Sequence, residues 1–106
     1  MKYTILQLDH NNENVKRDRR MFVSWKELNN TCGFNKHCYQ KVYEGEVEFD
    51  NSIRRTLDNI YRKFNIFRPS DFKGHSLSTS DVVILDGTMY YCDSIFWVNV
   101  ETEETY

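Results

Sequence analysis

Hydrophobic positions recur along the chain at two spacings, and the change from one to the other marks out its elements. Lys2 to Asp9 alternates Tyr3, Ile5 and Gln7 against Thr4, Leu6 and Leu8, which predicts a strand covered on at least one face. Tyr39 to Phe49 alternates in the same way, Tyr39, Lys41 and Tyr43 against Gln40, Val42 and Glu44. It resumes at Val47 and Phe49 past Gly45, which marks a turn or a bulge. From Asn51 to Phe64 the period lengthens: Ile53, Leu57, Ile60, Tyr61 and Phe64 fall on one stripe of a helix, with Arg54, Arg55, Asp58, Arg62 and Lys63 elsewhere. Asp50 or Asn51 is the candidate N-cap. Pro69 fixes its own φ and biases Arg68 away from helix, so this helix should stop between Asn65 and Arg68.

A shorter helix is predicted from Trp25 to about Asn30. Ser24 and Glu27 form an S-x-x-E capping box, Phe22 is placed to staple against Leu28, and Gly33 offers a positive φ at the exit. After Pro69 come Ser70, Asp71, Gly74, Ser76, Ser78, Ser80 and Asp81, whose short side chains bond to nearby backbone and favour turns. Val82-Val83-Ile84-Leu85 then reads as a buried strand. Asp86-Gly87 is a two-residue hairpin turn, and Thr88 to Asp93 is the return strand. Ile95 to Glu101 alternates as a last strand, and the acidic tail Thr102 to Tyr106 is expected to fray. The sum is one α+β domain over residues 1–106: a mostly antiparallel sheet with one long amphipathic helix across it, one short helix and a C-terminal hairpin.

Composition narrows the class. With 106 residues, 40% hydrophobic and 15% aromatic, the chain has enough apolar mass for one core without a metal or disulfides. Cys32, Cys38 and Cys92 are odd in number and lack the spacing of a disulfide framework; Cys92, in a strand pattern, reads as a small buried hydrophobe. The pair Cys32 and Cys38, with His37 beside it, lacks the paired spacings of a zinc site, so no metal and no cofactor is expected. No apolar run approaches the length of a membrane span, and MKYTILQLD lacks the apolar region of a signal peptide. A cytoplasmic location is expected.

The net charge of −2 hides an asymmetry. Residues 1–75 hold all 14 Lys and Arg and net +4, whereas residues 76–106 hold six acids and no base and net −6. A coherent acidic face of Asp86, Glu101, Glu103 and Glu104, with Trp97 and Phe72 as aromatic anchors, would engage a basic protein surface. The different-class alternative is nucleic-acid binding by Lys16, Arg17, Arg19 and Arg20 together with Arg54, Arg55 and Arg62 on the long helix. His75 among Ser76, Ser78, Ser80, Asp71 and Asp81 has the residue types of a hydrolytic triad. Serines crowded around one His are also what turn chemistry produces, and His75 then serves to tie the loop to the sheet.

The run from Phe64 to Ser94, with FN, RPSDFKGHSLSTSDVVIL and YYCDSI, resembles the YodL-like domain, a small bacterial and phage domain that also occurs inside large proteins of mobile elements. YTILQLD, MFVSWKEL, YQKVYEGEVE and LDNIYRKFNIF follow in that family's order, and one departure is Phe96-Trp97 in place of a Gly-Phe pair, which implies ordinary strand there. The resemblance implies a fold and a mobile-element context, with no reaction, cofactor or catalytic set. With no Walker loop, dinucleotide fingerprint or paired-His motif present, the expected function is non-enzymatic. It is binding and inhibition of a host protein, in the first place a nucleic-acid-binding defence component such as a CRISPR effector, with modulation of host growth or the cytoskeleton as a second protein-level possibility.

Overall fold

A computed structural model describes all 106 residues. The elements in chain order are β1 (Lys2–Leu8), α1 (Glu13–Asp18), α2 (Trp25–Thr31), a 3-10 turn (Lys36–Cys38), β2 (Tyr39–Glu46), α3 (Ile53–Ile66), β3 (Val82–Leu85), β4 (Thr88–Cys92) and β5 (Trp97–Asn99). The five strands form one sheet in the order β2-β1-β3-β4-β5, every pair antiparallel. The fold is α+β.

Alternation along the strands sends side chains to two faces, and both faces are covered. On one, Tyr3, Ile5, Val83, Leu85, Tyr90, Cys92 and Trp97 pack against Leu57, Ile60 and Phe64 of α3. Leu57 is fully enclosed, and burying such a side chain is worth roughly 1.5–3 kcal/mol. On the other, Val82, Tyr91 and Val98 pack against Leu28 of α2, with Val23, Trp25 and Phe34 around them; Leu8, Val15 of α1 and Cys38 extend that layer.

α3 starts two residues later than the pattern predicted. Its cap is Ser52, whose Oγ accepts from Arg55 N (3.1 Å), while Asn51 takes a positive φ (64°) that turns the chain into the helix. α3 ends at Ile66, inside the window set by Pro69. Ser24 Oγ accepts from Glu27 N (3.2 Å) as the capping box requires. The staple is not Phe22, which is exposed; Val23, the residue directly before the cap, packs in the Leu28 layer instead. The Asp86-Gly87 turn has φ of 50° and 85°, the positive pair a type I′ hairpin needs. Gly45 lies inside β2 opposite Tyr3, where a Cβ would press on the Tyr3 ring; the register shift falls instead at Val42, between the pairs Ile5–Tyr43 and Leu6–Lys41.

The irregular segments differ from the pattern at two points and add a helix at a third. The polar and basic stretch after β1 is helical, as α1, capped by Asn12 and anchored by Val15. Ile95 and Phe96 are not strand: Asp93 N donates to Phe96 O (2.8 Å) and closes a turn, so β5 begins at Trp97. The tail does not fray. Tyr106 and Trp97 exchange backbone bonds (2.8 and 3.1 Å), Thr105 bridges Val98, and the tail lies along the β5 edge. No helix is long and apolar enough to cross a membrane.

Candidate functional site

The serine-rich loop before β3 is held at the foot of the sheet, the end where β1 finishes and β3 begins. Gln7 of β1, buried, clamps it: Nε2 donates to the His75 carbonyl (2.8 Å) and to Asp81 Oδ2 (3.1 Å), and Oε1 accepts from His75 N (3.1 Å). Asp81 Oδ2 also accepts from Ser78 N (2.9 Å). Gly74 is needed beside this clamp, since a Cβ there would run into Gln7 Oε1 and the Phe72 ring. Burial pushes the Asp81 carboxyl up to about 6, with the Ser78 and Gln7 bonds and nearby His75 acting in the opposite sense.

Ser80 is the second knot. Its N donates to Cys92 O (2.9 Å), its carbonyl accepts from Tyr39 OH (2.6 Å), and its Oγ accepts from Phe22 N (3.1 Å). Both Ser80 (φ 87°) and Phe22 (φ 60°) sit in the left-handed region, unusual for residues with a Cβ and held only where surrounding contacts over-determine them. Burial raises the Tyr39 and Tyr91 hydroxyls and pushes the Cys92 thiol up to about 12.

This geometry decides the triad residues. The His75 Nδ1 lies 2.7 Å from the Ser76 carbonyl and 3.3 Å from Gln7 Nε2, so this ring nitrogen faces backbone and the Gln7 amide and no serine hydroxyl or carboxylate. Asp81 faces Gln7 and Ser78, and Ser80 Oγ faces Phe22 N, so no serine–histidine–carboxylate relay is assembled. The loop is tied to the sheet, through the backbone of His75 more than through its ring. No group of three His, Cys, Asp or Glu is assembled as metal ligands; Cys38 is buried and Cys32 exposed.

Two of the six acids in the last third, Asp81 and Asp93, lie apart from the set Asp86, Glu101, Glu103 and Glu104, and Glu103 is engaged within the chain. Asp81 is buried; Asp93 Oδ1 accepts from Ser94 N (2.8 Å) in the turn before β5; and Glu103 Oε1 accepts from Trp25 Nε1 (2.9 Å) and Asn29 Nδ2 (3.0 Å). Asp86 is exposed at the head hairpin, Glu104 lies on the tail, and Glu101 lines a groove of about 550 Å³ that also holds Lys36 and His37. Trp97 is corrected outright: it is 3% exposed, in the core, with Nε1 donating to Asp58 Oδ1 (3.0 Å). Phe72 is half-buried against Phe64, ring centroids 4.8 Å apart.

The two basic sets lie on opposite faces of the sheet, α1 on one and α3 on the other, so they do not make a single phosphate-binding track. Arg20 is buried, with its guanidinium on the Gly33 carbonyl (2.7 Å) and Asp18 (3.1 Å). Arg17 pairs with Asp18, Arg54 with Asp58 and Arg55 with Asp50, whereas Lys16, Arg19 and Arg62 are exposed and unpaired.

What the sequence reading missed lies at the foot. A groove of about 490 Å³ opens beside the Gln7 and Ser80 knots, between Met21 and Phe22 on one side and His75 to Ser78 on the other, with Arg68 at its rim. Phe22 is 64% exposed, and the two residues before Arg68, Ile66 and Phe67, are 62% and 75% exposed. Of these, Phe22 lines the groove; Phe49, Ile95 and Phe96 are exposed elsewhere on the chain.

Fold and site together define a small α+β domain whose longest loop is built into the sheet as a scaffold and whose uncommitted groups lie on its surface. The chain belongs to the YodL-like domain family, whose profile matches residues 2–102. No curated protein and no solved structure matches it.

Proposed function

We propose that this chain is a non-enzymatic, protein-binding inhibitor carried by a phage or mobile element, acting in the host cytoplasm on a host protein, with a defence component such as a CRISPR effector as its target. The observation that supports it is Phe22, 64% exposed on the wall of a groove that Arg68 and the His75 to Ser78 loop also line, with exposed Ile66 and Phe67 directly before Arg68 in the chain. This moves the binding surface away from Trp97 and from the acids at the hairpin end of the sheet.

The test is site-specific crosslinking in host cells, with a benzoyl-phenylalanine at position 67, at position 22, or at Asp86 on the far end of the sheet. One host protein should be captured from positions 67 and 22, and the purified domain should lower that protein's activity. Capture from Asp86 alone, or a captured protein whose activity is unchanged, would count against the proposal.

A further inference from the structure

We infer that the foot groove recognises an acidic segment of its protein partner, in which a large apolar side chain lies between carboxylates. The inference rests on the protein-binding reading and specifies the partner's chemistry. Met21, Phe22 and Leu77 supply apolar wall, and no carboxylate lines the groove. Arg68 is exposed and makes no ion pair, and the Ser76 and Ser78 hydroxyls bond to nothing within the chain. A free guanidinium matches a carboxylate in two parallel bonds, and hydroxyls beside it can complete the shell. The apolar wall is held open at a cost in backbone strain: Phe22 keeps a positive φ while its N–H is fixed to buried Ser80. A basic segment would set its charge against Arg68 and find no counter-charge in the groove.

The experiment is selection of a random eight-residue peptide display library on the wild-type chain, followed by affinity measurement of the selected peptides against Arg68→Glu and Phe22→Ala. Both residues are exposed, and melting curves matching wild type establish that the variants are folded. The expected result is enrichment of peptides with Asp or Glu flanking Phe, Leu or Trp. Their affinity should fall about tenfold or more in Arg68→Glu, fall also in Phe22→Ala, and weaken with rising salt. Selected peptides that are neutral or basic, that bind Arg68→Glu as tightly as wild type, or that fail to enrich at all would overturn the groove assignment. The protein-binding reading is tested apart from this by crosslinking, so a captured host protein whose binding ignores Arg68→Glu sinks the acidic-segment inference alone.

Discussion

Replacing Asp81 with Asn should stabilise the fold at neutral pH, and the gain should shrink as the solution is acidified. Asp81 is 2% exposed and accepts both its bonds, from Gln7 Nε2 and Ser78 N, at Oδ2. An Asn Oδ1 in that place keeps both, while the ionised form is lost. Folding raises the carboxyl from its ordinary 3.8 to about 6 because burial penalises the charge. The raised value means that stability tied to this group is fully present below its unfolded pKa and is lost as pH rises through about 6. The shift corresponds to about 3 kcal/mol in all, of which about half should return between about pH 7.5 and about pH 5. Urea denaturation of both proteins across that range provides the assay, with the difference in free energy cancelling other titrating groups. A difference that stays constant with pH, or an Asn variant less stable at every pH, would refute the argument that the buried charge is a net cost.

Three further outcomes follow from packing. Leu57→Ala, which empties a fully buried site between α3 and the sheet, should cost about 2–5 kcal/mol in denaturant titration; an unchanged midpoint would mean the stripe is not in the core. Gly74→Ala should cost about 1–3 kcal/mol by pushing Gln7 off its partners, and hydrogen exchange at His75 N should rise with it. Truncation after Thr102 removes the Glu103 bonds to Trp25 and Asn29 and the edge pairing with β5, and should lower the melting temperature measurably, where a frayed tail would leave it unmoved.

Local patterns were enough to read the α3 stripe, the Ser24 cap and the Asp86-Gly87 hairpin, because each is set by residues within a few positions of one another. α1 escaped because six residues with one buried anchor, Val15, carry no periodicity. Burial of Trp97 is not legible for a different reason: alternation assigns residues to two faces, and here both faces are covered, so it does not separate inside from outside. Burial of Asp81 and capture of Glu103 by Trp25, 78 positions away, depend on long-range contacts that charge counting cannot see. The foot groove joins residues 21–22, 68 and 75–78 and has the same character. Just before its Arg68, Ile66 lies off the helix stripe and Phe67 just beyond the helix end, where a polar exit would be ordinary.

In the proposed function, binding runs through Phe22 and the foot groove and not through the acidic residues at the hairpin end. Affinity for the crosslinked host protein, measured for wild type, for Phe22→Ala with Phe67→Ser, and for a variant with Asp86, Glu101, Glu103 and Glu104 changed to Asn or Gln, tests it directly. The foot variant should lose at least about a hundredfold in affinity, as truncating two hot-spot aromatics does, while the neutralised variant should stay within a few-fold of wild type. Loss of binding by the neutralised variant with the foot variant intact would contradict it.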